Sequence, residues 1–341
     1  MELLKKISFL LFVIFVLFLF IWALYLPKKE STEIIKKTLE EQKQRLDLYF
    51  QGVTLQEIVG GIKYWEIKAK TSTLDKTTGI ATLKDTYGTF FENGVPTLKF
   101  LSPLAVWKMN QKEIRLKDVI GFDARSEGKV SRFLSEVGKL DITTFTLPAR
   151  YQKRGEGYFF KAKNLSWRLQ DQKISCGGGI WLTKGEISGL GRELQADVGL
   201  KKVLLKGNPK VVLVNRDIIT IEAQAFTVDS PTDTLSADGG VTLTSDHIKI
   251  KTQKINYRQR ENQIEIIKSV HITYRDILAT ADQALYDINR QLITLSRNTR
   301  LKRQDSVMTG DKIMVSLKDK TFKISGRTKA VISEEEFKEK K

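Results

Sequence analysis

A gapless repeat of 29 residues near the C-terminal end constrains the fold of this chain more than any other feature. Four blocks begin at Ile219, Ile248, Ile277 and Ser306 and align without an insertion. Four aligned columns are apolar in every block: Phe226, Ile255, Ala284 and Ile313; Val228, Tyr257, Tyr286 and Val315; Leu235, Ile264, Ile293 and Phe322; Ala237, Ile266, Leu295 and Ile324. Paired columns lie two residues apart, which is the period of a strand with one buried face. Each block is therefore predicted to be two strands joined by a turn, and the blocks to stack into an elongated β-structure with a continuous apolar lining.

The sequence leaves two interpretations of this lining open. It is either the filled core of a structural scaffold or the inner surface of a groove that holds an apolar ligand. Both interpretations place the four columns inside the stack, and they differ only in whether the columns interdigitate or enclose a void.

Composition excludes several kinds of site. The chain of 341 residues carries a net charge of +17, which suits an anionic partner. Its single cysteine, Cys176, rules out an intramolecular disulfide framework and a cysteine-based metal cluster, and is expected to be a small buried side chain. With only two histidines, His247 and His271, a histidine-based catalytic triad or zinc site is not expected. No metal and no cofactor are predicted.

An apolar run near the start predicts a membrane anchor over residues 1–29. Residues 7–26 form an uninterrupted apolar run. As a helix this run would span roughly 30 Å, which is the thickness of a bilayer core. A cleavable signal peptide is the alternative, but it would have a shorter apolar region and a small-residue cleavage site. Lys5 and Lys6 favour a cytoplasmic N-terminus, although Lys28 and Lys29 flank the other end. The bulk of the chain is expected outside the cytoplasm.

The remaining sequence divides into four predicted segments. Residues 30–51 are polar with helical spacing, typical of a juxtamembrane helix or a disordered linker. Residues 52–215 contain short alternating segments with turn signals at 75–79, 93–94 and 127–128, which predict an all-β domain. Two stretches break that pattern: 131–140 has helical spacing and predicts a short helix or insertion, and 177–191 is glycine-rich. The repeat domain covers 216–334, and a charged tail covers 335–341.

The order of these parts resembles proteins that bridge membranes in lipopolysaccharide export. Residues 5–215 resemble the LptC family in the apolar run 7–26, the alternating strand 64–69, and the segments 164–165, 189–190, 194–196 and 203–211. Residues 216–334 resemble the LptA/OstA-like repeat domain in segments 235–243 and 309–315. The resemblance implies an all-β fold, in which one N-terminal transmembrane helix precedes twisted β-jellyroll domains of the OstA type. The two families usually occur as separate chains, so their fusion here departs from the pattern.

The resemblance also implies a non-enzymatic function. A β-jellyroll with an apolar interior would shield the acyl chains of lipopolysaccharide between two membranes. The expected partners are the permease subunits of an inner-membrane ABC transporter and an LptA-like or outer-membrane lipopolysaccharide-assembly protein. The transport energy would come from a partner ATPase, because the chain has no GxxxxGK[ST] phosphate loop. Twelve residues are predicted to line the lipid path: Trp65, Ile67, Phe226, Tyr257, Ile264, Ile266, Tyr286, Ile293, Leu295, Ile313, Phe322 and Ile324.

Two further functional classes have weaker support in the sequence. Nucleic-acid binding would explain the basic charge, but no aromatic platform is interleaved with a basic cluster. An enzyme would need a catalytic constellation. Asp282 and Asp311 recur at one repeat position, yet Gln224 and Gln253 occupy it in the other blocks. The presence of either aspartate or glutamine at this position is typical of a turn or an outward-facing polar residue, not of a catalytic pair.

Overall fold

The computed structural model describes residues 14–18, 21, 48–125, 154–214, 218–246 and 248–331. Of the predicted anchor, residues 14–18 and 21 are described, as helix with exposed side chains. Among all residues described, no helical segment has the length and apolarity needed to cross a bilayer. The rest of the predicted anchor, most of the linker, the helix predicted at 131–140 and the tail at 335–341 lie outside the described residues.

Within residues 48–331, the described secondary structure is almost entirely β. The first ten strands are Leu48–Val59 (β1), Ile62–Asp75 (β2), Ile80–Glu92 (β3), Val95–Lys108 (β4), Glu113–Asp123 (β5), Arg154–Arg168 (β6), Lys173–Gly185 (β7), Ile187–Asp197 (β8), Lys202–Lys206 (β9) and Lys210–Val214 (β10). The next ten are Ile218–Glu222 (β11), Ala225–Asp229 (β12), Thr234–Ser245 (β13), Ile248–Arg258 (β14), Gln263–Tyr274 (β15), Ile277–Asp287 (β16), Leu292–Arg303 (β17), Ser306–Ser316 (β18), Thr321–Ser325 (β19) and Lys329–Val331 (β20). A 3-10 turn at Met109–Gln111 separates β4 from β5.

The strands form one antiparallel sheet in which sequence neighbours pair. Pairing runs stepwise from β1 to β8 and from β13 to β18. Between these runs, β9 and β10 both pair with β8, β12 pairs with β9, β11 pairs with β10, and both β11 and β12 pair with β13. At the C-terminal end, β19 and β20 both pair with β18. The all-β prediction is confirmed.

The chain divides into two compact units. One comprises Met1–Leu48 with Leu74–Gly79, and the other comprises Tyr49–Thr73 with Ile80–Lys341. The second unit contains strands β3 to β20, and its strands β10 and β11 pair on either side of residue 215. The boundary placed at 215 from the sequence stays a prediction.

The 29-residue repeat is a repeat of strand pairs, as predicted. Forward strands β14, β16 and β18 begin at Ile248, Ile277 and Ser306, and the intervals match the block length. Return strands β13, β15, β17 and β19 begin at Thr234, Gln263, Leu292 and Thr321, again at that interval. The first block differs because its forward strand is split into β11 and β12.

Backbone hydrogen bonds join successive turns of the repeat. The amide of Gln259 donates to the carbonyl of Asp233, at 3.0 Å. The amide of Ile288 donates in the same way to Asn262, also at 3.0 Å. Each turn therefore holds the next one in place, so that the blocks stack in register as well as pair.

Each long strand of the repeat domain is interrupted near its middle by a bulge. In return strands, two successive residues adopt positive φ at the same repeat position: Gly239 and Gly240, Lys268 and Ser269, Arg297 and Asn298. The pairing register shifts at each of these pairs. Bulges bend a strand and increase its twist. Because the bulges are aligned from strand to strand, they divide the sheet into two halves along one line.

Two details of the sequence-based description are wrong. Residues 48–51 were assigned to the linker but belong to β1, which pairs with β2. The glycine-rich stretch 177–191 was expected to break the strand pattern, but β7 and β8 cover nearly all of it. Gly178 and Gly179 provide the positive φ values of a bulge, with φ of 78° and 103°. The glycines therefore bend strands rather than end them.

Candidate functional site

The inward side chains on one half of the sheet form an unbroken apolar surface, called here the first wall. Two parallel rows of cross-strand partners cross fifteen strands, from β3 to β19. The first row contains Ala81, Trp107, Ile114, Trp167, Ile174, Ala196, Val203, Val228, Leu235, Tyr257, Ile264, Tyr286, Ile293, Val315 and Phe322. The second row contains Leu83, Ala105, Leu116, Leu165, Cys176, Leu194, Leu205, Phe226, Ala237, Ile255, Ile266, Ala284, Leu295, Ile313 and Ile324. At about 4.8 Å per strand, the surface runs for roughly 65 Å along the sheet.

The structure brings ten of the twelve predicted lining residues together in the first wall. Eight of these are buried, whereas Phe322 and Ile324 on β19 are half-buried. The other two, Trp65 and Ile67 on β2, are buried as well, and the Trp65 ring packs edge-on against Trp107 at 5.2 Å. The predicted inward direction of the columns is confirmed. Lipid contact by these residues stays a prediction.

Tyr257 shows how a polar residue fits this lining. Its ring is 2% exposed, while its hydroxyl donates to the Asn262 side-chain oxygen in the next turn, at 2.9 Å. Burial raises the pKa of Tyr257 to about 12, so the hydroxyl stays protonated at neutral pH. The ring thus contributes apolar surface without leaving a polar atom unpaired.

A second apolar surface lies on the other half of the sheet, and the sequence analysis missed it. This second wall is one row of cross-strand partners: Gly88, Phe100, Gly121, Phe160, Leu182, Gly189, Val211, Ile221, Leu243, Ile250, Ile272, Ala279, Leu301 and Met308. The 29-residue register carries the signal, because Ile221, Ile250, Ala279 and Met308 occupy one column.

The two walls contact each other where β9 and β10 meet β8. A Cβ atom built on Gly189 would lie 3.4 Å from the Leu205 side chain of the first wall and 3.6 Å from Val211 of the second wall. Inward side chains on both halves of the repeat strands are also buried, including Ile250 and Ile266 at 0% exposure. A single sheet cannot bury its own face, so we infer that the walls fold over each other as in a β-jellyroll.

A small apolar cavity of about 20 Å³ lies between the walls near this contact. Leu182, Gly189 and Val211 line it from the second wall, and Leu205 and Phe226 line it from the first. Its volume is close to that of a single water molecule. Elsewhere the first-wall residues Ile264, Ile266, Ile293 and Leu295 are fully buried. In this structure the columns are therefore buried, and the gap described at this point is small.

Polar side chains surround one end of this cavity. Lys184 lines it, and its ammonium group lies 5.2 Å from the Tyr158 ring centroid and 3.8 Å from the Asp233 carboxylate. The Tyr158 hydroxyl forms a 2.6 Å hydrogen bond with Ser230. Burial lowers the pKa of Lys184 and raises the pKa of Tyr158 to about 12. The apolar gap thus ends at a partly buried cation.

The two aspartates at the recurring repeat position stabilise the bulges. Asp282 accepts a 2.6 Å hydrogen bond from the side chain of Asn298, and Asp311 accepts one of 3.0 Å from the backbone amide of Arg327. Both carboxylates are exposed and lie beside residues of the bulge line. Over the described part of the chain, no group of three or more metal-ligating side chains is found.

Two glycines of the second wall give a test of how tightly the walls pack. Gly121→Ala is expected to lower the free energy of unfolding by about 1–3 kcal/mol, since a Cβ atom there would lie 2.2 Å from the buried Phe160 ring. Gly189→Ala is the matched control, because its Cβ would make only ordinary contacts beside the cavity. It should be neutral or stabilise by up to about 1 kcal/mol. Denaturant unfolding of the full chain measures both, and equal losses would contradict the packing described.

Residues 220–321 match a known family model. Its description is LptA/(LptD N-terminal domain) LPS transport protein, and the matched stretch runs from β11 to the start of β19. The repeat domain is thus LptA-like, which confirms that part of the predicted resemblance. The match lies outside the residues that resemble the LptC family, so that resemblance stays a prediction.

The chain was also compared with curated proteins and with solved structures. No match was found among curated proteins. Among solved structures, the chain is similar to LptH, the LptA-homologous periplasmic component of the conserved lipopolysaccharide transport device from Pseudomonas aeruginosa. In the structural alignment the two sequences are 14% identical, and the aligned region covers 34% of this chain and 94% of LptH. The TM-score is 0.32.

Proposed function

We propose that this chain is a periplasmic bridge component that binds the acyl chains of lipopolysaccharide between its two walls. The observation that carries the proposal is the first wall, which stays apolar across fifteen strands. A compact ligand needs only a local pocket, whereas a lipid in transit needs apolar surface along its whole path. The LptA-like match over residues 220–321 supports the same function.

Hydrophobic burial explains why such a surface is needed. Each acyl methylene exposed to water costs about 0.8 kcal/mol, so a lipid with several chains cannot cross an aqueous space unaided. Between the walls, acyl chains would replace side-chain contacts while the sugar head group stays in water. Because the walls touch in this structure, loading requires them to separate.

The proposal includes a route from one membrane to the other. Residues 7–26 would anchor the chain in the inner membrane, with the bulk in the periplasm beside an LptC-like domain. The permease subunits of an ABC exporter would deliver the lipid, and an LptA-like or outer-membrane lipopolysaccharide-assembly protein would receive it. In this route the chain itself only holds lipid, and no step on it forms or breaks a bond. We therefore propose that the chain is not an enzyme.

A structural scaffold with a filled core is the second candidate. The full burial of Ile264, Ile266, Ile293 and Leu295 favours it, as does the small size of the cavity. Such a scaffold would use the same apolar rows for stability alone and would never contain lipid.

Photo-crosslinking in a lipid-exporting cell separates the two candidates. A photo-reactive aromatic residue at Ile266 or Ile293, and at the half-buried Phe322 or Ile324, is expected to capture lipopolysaccharide if the walls open. The same residue at Leu285, which points outward and is 36% exposed, is the control and should capture none. In a filled core, the insertion at Ile266 overpacks by about 1–3 kcal/mol and captures only neighbouring protein. Folded protein without a lipid adduct at any of the four positions would refute the conduit.

A further inference from the structure

The outward side of the second wall is strongly basic in the repeat domain. From β14 to β20, its half-strands cover residues 248–251, 270–274, 277–281, 299–303, 306–310 and 329–331, and none of these contains an aspartate or a glutamate, whereas the preceding strand β11 of the same wall ends at the exposed Glu222. Five exposed cations project from this surface, which we call the basic face: Lys249, Lys251, Arg300, Lys302 and Lys329. The nearest acidic residues lie in the adjoining turns, where Asp276 pairs with Arg303 at 2.7 Å, and at the bulge line, where Asp282 and Asp311 lie.

Strand pairing arranges these cations in two rows. One row runs through Lys251, His271, Thr280, Arg300, Thr309 and Lys329, and the other through Lys249, Thr273, Leu278, Lys302, Val307 and Val331. At about 4.8 Å per strand, Lys251 and Arg300 lie roughly 14 Å apart, as do Lys249 and Lys302. The positive charge is therefore spread along two rows of the surface.

Among the described residues, these five cations form no ion pair, unlike several cations on the outer side of the first wall. There Lys254 lies 3.2 Å from Asp238, and Arg258 pairs with Glu261 at 3.2 Å and with Glu265. The two outer surfaces thus differ in charge although they belong to the same strands. These cations lie on three of the six half-strands and face water without an ion pair to any described residue, which suits a partner whose negative charge is also spread over a plane.

The side chains between the cations restrict the chemistry of that partner. Leu278 lies between the two cations of its row and is 51% exposed, and Val331 at the end of the row is 59% exposed. No phenylalanine, tyrosine or tryptophan points outward from these half-strands, so the base-stacking platform typical of single-stranded nucleic-acid binding is missing from the described face. Basic residues around an exposed aliphatic side chain are typical of surfaces that adsorb to anionic lipid.

We propose that the basic face docks onto the surface of a phospholipid bilayer that contains anionic lipids. Lys249, Lys251, Arg300 and Lys302 contact the lipid phosphates, and Leu278 contacts the interface between them. This contact uses the outer side of the second wall, so it leaves the apolar interior unoccupied. It would place the C-terminal repeats beside a membrane whether or not lipid passes through the jellyroll.

Vesicle binding by the full chain tests this docking. The chain is held in nanodiscs of phosphatidylcholine, which keep the apolar residues 7–26 in lipid without net charge. Separate vesicles are then added, made of phosphatidylcholine alone or mixed with phosphatidylglycerol. Cosedimentation is expected only with the phosphatidylglycerol vesicles, and it should weaken as salt is raised.

Two variants with equal charge loss locate the interaction. The face variant carries Lys249→Gln, Lys251→Gln, Arg300→Gln and Lys302→Gln, and its vesicle partitioning should fall by about tenfold or more. The control carries Lys254→Gln, Arg258→Gln, Lys312→Gln and Lys323→Gln on the outer side of the first wall, and should stay within about twofold of the parent. Matching circular dichroism spectra and melting temperatures would show that all three proteins are folded. Equal losses in both variants would show attraction by net charge alone and overturn the proposal.

A fluorescent probe gives a second readout. The native Cys176 is buried, so a cysteine introduced by Leu278→Cys can be labelled selectively. An environment-sensitive dye at this position should shift to shorter wavelength on phosphatidylglycerol vesicles, whereas the same dye at Leu285→Cys should not. Binding without a shift at position 278, or wild-type binding that does not prefer phosphatidylglycerol, would refute docking through this face.

Discussion

Replacing Ile266 with aspartate is expected to lower the free energy of unfolding by several kcal/mol, because the carboxylate would lie in an apolar interior without a partner. Ile266 is 0% exposed and lies between Ile255 and Ala284 on the neighbouring strands. Burial raises the pKa of such a carboxyl above its value in the unfolded chain. The loss should therefore be smallest below about pH 4, where the group is protonated in both states, and should grow as the pH rises.

Leu285→Asp provides the control for this substitution. Leu285 lies on the adjacent strand β16 but points outward, and is 36% exposed. Its replacement should change stability by less than about 1 kcal/mol, with little dependence on pH. Denaturant unfolding of the full chain at pH 4 and pH 7 measures both variants. Similar losses for the two would show that the inward and outward positions are misassigned.

Sequence periodicity was sufficient to locate the first wall. The four columns repeat every 29 residues without a gap, and each pair of columns falls within an uninterrupted half-strand, where alternation has a period of two. Half-strands such as 263–267 place Ile264 and Ile266 on one side of the sheet. The two-residue alternation and the 29-residue repeat assign the same residues to one side of the sheet. The inward direction of these residues could therefore be predicted from the sequence alone.

The second wall was missed because the bulges interrupt that alternation. The inward residues of β16 are Ala279 and Ala281 before the bulge and Ala284 and Tyr286 after it, so the period of two does not continue through the strand. Nearer the N-terminus, the same wall alternates Gly88, Phe100, Gly121 and Phe160, and a glycine carries no hydrophobic signal. Each glycine makes room for a phenylalanine on the neighbouring strand. This complementarity appears only once the strand pairing is known.

The contact between the walls could not be inferred from the sequence either. It depends on how far the sheet bends at the bulge line, and this is set by backbone conformation at positions such as Lys268 and Ser269, where φ is 69° and 52°. Neither residue type favours positive φ, so these two residues carry no signal for a bulge. Whether the two walls touch or leave a groove between them therefore depends on the bend of the folded sheet.

Phe226→Ala should have the largest effect among truncations of the predicted lining. The ring is 1% exposed and lines the existing cavity, so its loss would join a new space to that gap. A decrease of about 3–5 kcal/mol in the free energy of unfolding is expected for truncating a buried phenylalanine. Leu285→Ala, on the outward side, is the control and should cost less than about 1 kcal/mol.

The two candidate functions differ in what lipid does to this variant. If acyl chains bind between the walls, they bind only the folded protein, and they refill the space that the phenylalanine ring occupied. A lipid present at about a hundred times its dissociation constant then raises stability by about 2.7 kcal/mol. Lipid A in nonionic detergent should therefore raise the melting temperature of Phe226→Ala more than that of the parent or of Leu285→Ala, because the enlarged cavity no longer requires the walls to separate fully. A filled scaffold core offers lipid no site in the parent or in Leu285→Ala, so lipid A would leave the melting temperatures of these two proteins unchanged, and that result would refute the proposed conduit.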